Sequence, residues 1–287
     1  MTRGRIALAV AAAALACVVA ASPATAGKPK PEPAGMTAQE QALVQTALDR
    51  GALIYAYDQA AWHGTDDLRA KMAERVREVG GWIVDGPADA PHIVFIDRNE
   101  ADPHAIYEAD FKDGKLTGSR VLGAGDDQGL SPSRKAMAQA LRAARKAMGD
   151  AGIGYCVQAP FNTVVLPPSG STPTLVYFLT PQTKNGSLPF AGHYLVEVSA
   201  DGRAQPVQRF TKTECAELST SEKDGKQVEG LVLSDLLHLA PTEIHVFSSM
   251  SGRVRVYVVT VRNDRLWAVE GPRIRLLPKE ERASRKR

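Results

Sequence analysis

The sequence predicts an α+β protein: N-terminal helices followed by β-meander and hairpin modules, with a β-rich C-terminal half. Three observations predict it. Apolar residues recur at helical spacing behind a capping box at Thr37-Ala-Gln-Glu40. From Trp82 the pattern shortens to β-branched and aromatic runs broken by Gly and Pro. From Asn162 onward the expected elements are almost all strands.

Taken in order, Leu43, Val44, Ala47 and Leu48 form the apolar stripe of the first helix, which Gly51 is expected to stop. Leu53 to Tyr57 is a short apolar segment of undefined type. Thr65-Asp-Asp-Leu is expected to open a second helix, with Thr65 as its cap, running to about Val79 and ended by Gly80-Gly81. Strands are expected at Trp82–Val84, Ile93–Ile96 and Ala105–Phe111, with Asp113-Gly114 turning the chain into Lys115–Leu122. A helix then begins at a Ser131 cap, with Pro132 in the first turn and Met137, Leu141, Ala144 and Met148 on its apolar stripe. Its other face carries Arg134, Lys135, Arg142, Arg145 and Lys146, a solvated surface. Strands follow at 163–166, 175–179, 194–199, 203–210, 231–233, 244–247, 255–261 and 266–270, interrupted by a polar loop at Leu218–Glu229.

Three stretches share an order of parts: a strand, a strand led by Pro91, Pro173 or Pro241, then a hairpin whose turn is Asp113-Gly-Lys, Asp201-Gly-Arg or Asn263-Asp-Arg. Two readings stand. Either the unit is repeated, or β-meanders share this grammar by nature. The prolines are spaced 82 and 68 residues apart, which excludes a strict solenoid.

The chain has 287 residues, 44% of them hydrophobic and 23% charged, which excludes wholesale disorder. Its first 26 residues read as a signal peptide: Arg3 and Arg5, an unbroken apolar run from Ile6 to Ala21, and Ala24-Thr25-Ala26 for cleavage. That run has 16 residues, short of the roughly 20 a bilayer core needs, so no transmembrane segment is expected after cleavage. Ala14-Leu15-Ala16 is a poor lipoprotein box before Cys17. Residues 27–36 form a Pro-rich linker, 37–130 an N-terminal α+β module, 131–278 a helix plus a β-rich module, and 279–287 a basic tail. Without leader and tail, residues 27–278 carry a net charge of −2, which gives no support to a nucleic-acid role.

Export leaves Cys156 and Cys215 as the two remaining cysteines, and an oxidising compartment is expected to pair them. His104 with Glu108, and His193 with Glu197, have a ligand-like spacing, but on strands such pairs stand about 13 Å apart. No metal and no cofactor is expected. Gly123–Gly129 places two carboxylates where a phosphate cradle wants donors, and reads as a linker. The densest chemical mixture is Tyr55 to Asp67. There His63 with Asp66 or Asp67 could form a base and its orienter; read structurally, both aspartates face water in a first helical turn, and Trp62 packs down before it. His63, Asp66, Asp67 and His193 are the candidate site residues, with no catalytic residue assigned. No GxSxG elbow, HExxH helix or Walker loop occurs.

The expectation is an exported protein, periplasmic or secreted, acting as a non-catalytic binding or envelope-associated module. Its partner would be a cell-envelope protein or a glycan. The alternative is an exported hydrolase using a histidine/carboxylate site.

Overall fold

A single helix, α1 (Ala38–Met72), runs for 35 residues beneath the whole N-terminal half of the fold. The structure, a computed structural model, describes residues 35–221, 226 and 228–278. The leader, most of the linker, the basic tail and part of the 218–229 loop lie outside the described residues. The Thr37 capping box forms as expected, with Glu40 N–H donating to Thr37 Oγ1 at 3.2 Å and Thr37 N–H to Glu40 Oε2 at 2.7 Å.

The two helices expected on either side of Leu53–Tyr57 are one. Gly51 does not stop α1. It sits on a buried stripe, Val44, Ala47, Gly51, Ile54, Tyr57, Ala61, Gly64, Leu68 and Met72, whose three- and four-residue steps never break. A Cβ at Gly51 would lie 2.5 Å from Val246 Cβ, so the residue is small because another helix crosses there. Thr65 is correspondingly no cap. It lies in the helix interior, its hydroxyl donating to Ala61 O at 2.6 Å. A 3₁₀ turn (Ala73–Glu78) ends the helical segment.

The strands β1 (Gly81–Asp85), β2 (His92–Ile96), β3 (Ala105–Lys112) and β4 (Lys115–Val121) then form an antiparallel meander. The amphipathic helix α2 (Pro132–Asp150) follows, capped by Ser131, with Met137, Leu141, Ala144 and Met148 all buried. A second antiparallel sheet is built from β5 (Asn162–Leu166), β6 (Thr174–Leu179), β8 (Tyr194–Val198) and the two-residue β9 (Gln208–Arg209). Here the expected strand 203–210 is reduced to β9 and a lone bridge from Val198 to Ala204. The short strands β7 (Ser187–Pro189) and β10 (Glu217–Ser219) pair as a separate ribbon.

The two sheets abut at β1 and β5, where Trp82 Nε1–H donates to Thr163 O at 3.2 Å. Strand alternation distributes their side chains between two cores. Ile93, Phe95, Tyr107, Val164, Leu166, Leu175 and Tyr177 face α1, whereas Ile83, Val94, Val165, Val176, Phe178 and Val196 face α2.

The third sheet departs from the expected pattern. Pro241–Phe247 is not a proline-led strand: Glu243–Gly252 is helix α3. Ile244 to Ser249 are buried on every side, so the run carries no period to tell helix from strand. The sheet order is β11 (Leu231–Asp235), β12 (Val256–Thr260), β13 (Arg265–Val269) and β14 (Ile274–Leu277). β11 runs parallel to β12, which requires a crossover, and α3 supplies it. The remaining pairs are antiparallel. The repeated theme is therefore a helix followed by a meander, present after α1, α2 and α3. The α+β class with a β-rich C-terminal half holds.

Cys156 and Cys215 form a disulfide with Cα atoms 5.4 Å apart, as the cysteine count predicts. No described helix is long and apolar enough to cross a membrane.

Candidate binding cleft on helix α1

One register over from its buried stripe, α1 presents Tyr55, Asp58, Trp62, Asp66 and Arg69, spaced three or four residues apart and so aligned on one face. That face forms one wall of a cleft of about 770 Å³. The seam between β1 and β5 contributes Trp82 and Asn162, the segment after β6 contributes Thr180 to Asn185, and the end of α3 contributes Ser251 and Arg253.

The structure brings Asp66 and His193 into this cleft and leaves His63 and Asp67 outside its lining. Asp67 does not face water. Tyr107 Oη–H donates to it at 2.5 Å and Ser119 Oγ–H at 2.6 Å, and Lys71 lies 3.1 Å away. Burial pushes its carboxyl up, but these partners outweigh that and hold it below its ordinary range. Asp67 thus pins the last turns of α1 to β3 and β4. Asp66, by contrast, is exposed, and it makes no ion pair or side-chain hydrogen bond among the described residues. Trp62 is not packed down. It is 58% exposed, with the His63 ring stacked against it at 4.6 Å and an interplanar angle of 27°.

His193 lies at the floor of the cleft, just before β8, and is 2% exposed. The Thr180 N–H donates to its Nδ1 at 3.3 Å, which places the ring proton on Nε2, donated to Pro189 O at 3.2 Å. Burial pulls the imidazole down to about 4. Both nitrogens are committed to backbone, and the ring is neutral. Gly192 beside it has φ +78°, and a Cβ there would lie 2.5 Å from Cys156 Sγ and from Thr180 Oγ1. The disulfide therefore packs against the backbone beside His193, outside the lining of the cleft itself.

Asp58 is the titratable group of the wall that sequence reading missed. It is half-buried, and burial pushes its carboxyl up to about 6, against hydrogen bonds from Asn162, at 3.1 Å, and Gln59. The signal that could have found it is the 55–58–62–66–69 spacing, visible only once α1 is read as one helix.

A second polar cluster lies between the second and third sheets. Asp235 accepts from Leu237 N–H, His238 N–H and His238 Nδ1, the last at 2.8 Å. Buried His245 accepts the Thr242 N–H at 2.9 Å through Nδ1, and burial lowers it to about 4. These contacts cap α3 and the turn after β11. Among the described residues no group of three or more His, Cys, Asp or Glu side chains is arranged to hold a metal ion.

No protein-family model, no curated protein and no solved structure matches the chain.

Proposed function

We propose that the chain is an exported, non-catalytic binding module, periplasmic or secreted, that holds its ligand in the α1 cleft. The carrying observation is the exposed indole of Trp62 on a wall where two charged neighbours, Asp66 and Arg69, are uncommitted. Arg69, like Asp66, makes no ion pair or side-chain hydrogen bond among the described residues. An exposed aromatic with unsatisfied polar groups around it is what a pre-formed recognition site requires. The histidine of the cleft, with both ring nitrogens tied to backbone, supports binding over turnover. The leader at 1–26 and the Cys156–Cys215 disulfide support an oxidising compartment outside the cytoplasm.

The test uses the mature protein recovered after export, with intact mass expected to place its first residue at Gly27. It should co-sediment with purified cell-envelope material, and Trp62→Ala should not. Absence of wild-type retention, or equal retention of the variant, overturns the reading.

A second reading, an exported hydrolase with a histidine/carboxylate site, draws on Asp58, whose carboxyl sits near 6 in the same cleft as His193. It requires time-dependent release of soluble products from the envelope material, abolished by Asp58→Asn. A binding module releases none.

A further inference from the structure

We infer that the ligand of the α1 cleft is a glycan, an extended chain of sugar rings laid along the helix; this rests on the binding reading above. The wall from Tyr55 to Arg69 spans four turns, about 21 Å at the rise of an α-helix. It is a trough along a helix rather than an enclosed hole, and it suits a linear ligand.

Its chemistry alternates flat apolar surface with groups that handle hydroxyls. A sugar ring presents a flat patch of C–H bonds edged by hydroxyls that both donate and accept. Trp62 offers the matching platform: one side of the indole is backed by the His63 ring, so it is held in place before any ligand arrives. Asp66 and Arg69, one and two turns further along the same stripe, provide an acceptor and a planar donor for ring hydroxyls. Asn185 adds an amide from the opposite wall.

Other ligand classes fit less well. A phosphate-rich ligand wants a field of one sign, but Asp58 and Asp66 stand among Arg69, Lys184 and Arg253. An acyl chain would strand these polar groups against hydrocarbon. A peptide adding to a sheet needs an open strand edge; β1 and β5 abut one another, and β7, which also lines the cleft, is three residues long and ends in Pro189, which has no N–H to donate.

The experiment is calorimetric titration of the disulfide-intact mature protein with deproteinised, soluble glycan fragments prepared from the same envelope material. Saturable binding is expected. Trp62→Ala should weaken it about tenfold or more, the scale of an aromatic anchor lost from a recognition site, with unchanged thermal melting. Asp66→Asn and Arg69→Gln should each weaken it by a smaller factor. No saturable binding, or equal affinity in Trp62→Ala, overturns the inference. If Trp62-dependent retention instead follows the protein fraction of the envelope, the glycan inference falls while the binding reading stands.

Discussion

Acidification should destabilise the fold through its buried histidines, and the size of the effect follows from the site. Burial lowers His193 and His245 from 6.5 to about 4. Between about pH 6.5 and 4 the unfolded chain therefore binds protons that the folded chain refuses, and stability present at pH 7 is lost as the pH falls through that window. Asp58 acts in the opposite sense. Burial raises it from 3.8 to about 6, so the folded chain takes up a proton first and regains stability on acidification. The linkage relation gives, at pH 5, a loss of about 2 kcal/mol per histidine and a gain of about 1 kcal/mol at Asp58, a net loss of about 3 kcal/mol from pH 7. His193→Gln isolates one contribution, because a glutamine amide can accept from Thr180 N–H and donate to Pro189 O without titrating. Urea unfolding of the disulfide-intact protein at pH 7 and pH 5 measures it. The wild type should lose about 3 kcal/mol and the variant about 1 kcal/mol over the same interval. Superimposable wild-type curves at the two pH values, or an undiminished loss in His193→Gln, would show that the imidazole is not held neutral by its surroundings.

Gly51→Ala should destabilise by about 1–3 kcal/mol despite alanine's better helix propensity, because the added methyl meets Val246 Cβ and Cγ1 at 2.5 and 2.7 Å; chemical denaturation reads this directly, and a stabilised variant would mean that α1 and α3 do not cross there. Thr37→Ala should cost about 1 kcal/mol as a lost cap, whereas Thr65→Ala, deep in the same helix, should change stability by less than about 0.5 kcal/mol; equal losses in the two variants would restore a helix start at residue 65.

What the sequence discloses and what it hides divide along one physical line. α2 was fully legible because its polar and apolar residues alternate at helical period: Ser131, Pro132 and the Met137–Met148 stripe all take their expected places. The strands β1 to β6 were legible from β-branched runs between turn residues, and the disulfide from the cysteine number together with the expected compartment. α3 was hidden because a segment buried all round has no polar face to mark its period. α1 was cut in two because Gly51 and Thr65 carry local signals of stop and start, and only tertiary packing against Val246 and the strands overrides them. The cleft was lost with it. Its residues are ordinary in themselves, and their common face exists only on an uninterrupted helix. His63, Asp66 and Asp67 are a dense segment in the sequence, but in the fold they take three different surroundings: His63 stacks on Trp62, Asp66 lines the cleft and Asp67 is held by Tyr107 and Ser119.

The first turn of α1 has a consequence for the order in which the molecule can be assembled. Buried Glu40 accepts from Asn263 Nδ2 at 3.0 Å and pairs with Arg265 at 3.3 Å, partners more than 220 residues downstream. Val44 and Ala47 likewise belong to the cluster built by Trp267 and Val269. A chain emerging from its N-terminus can form the helix early, but the partners of its first turn, Asn263 and Arg265, do not exist until β13 is reached. Closing so long a loop is slow, and an unpaired charge such as Glu40 stays in water until then. The final fold is thereby deferred until nearly the whole polypeptide is available, and a chain truncated before β13 leaves the first turn of α1 without its partners.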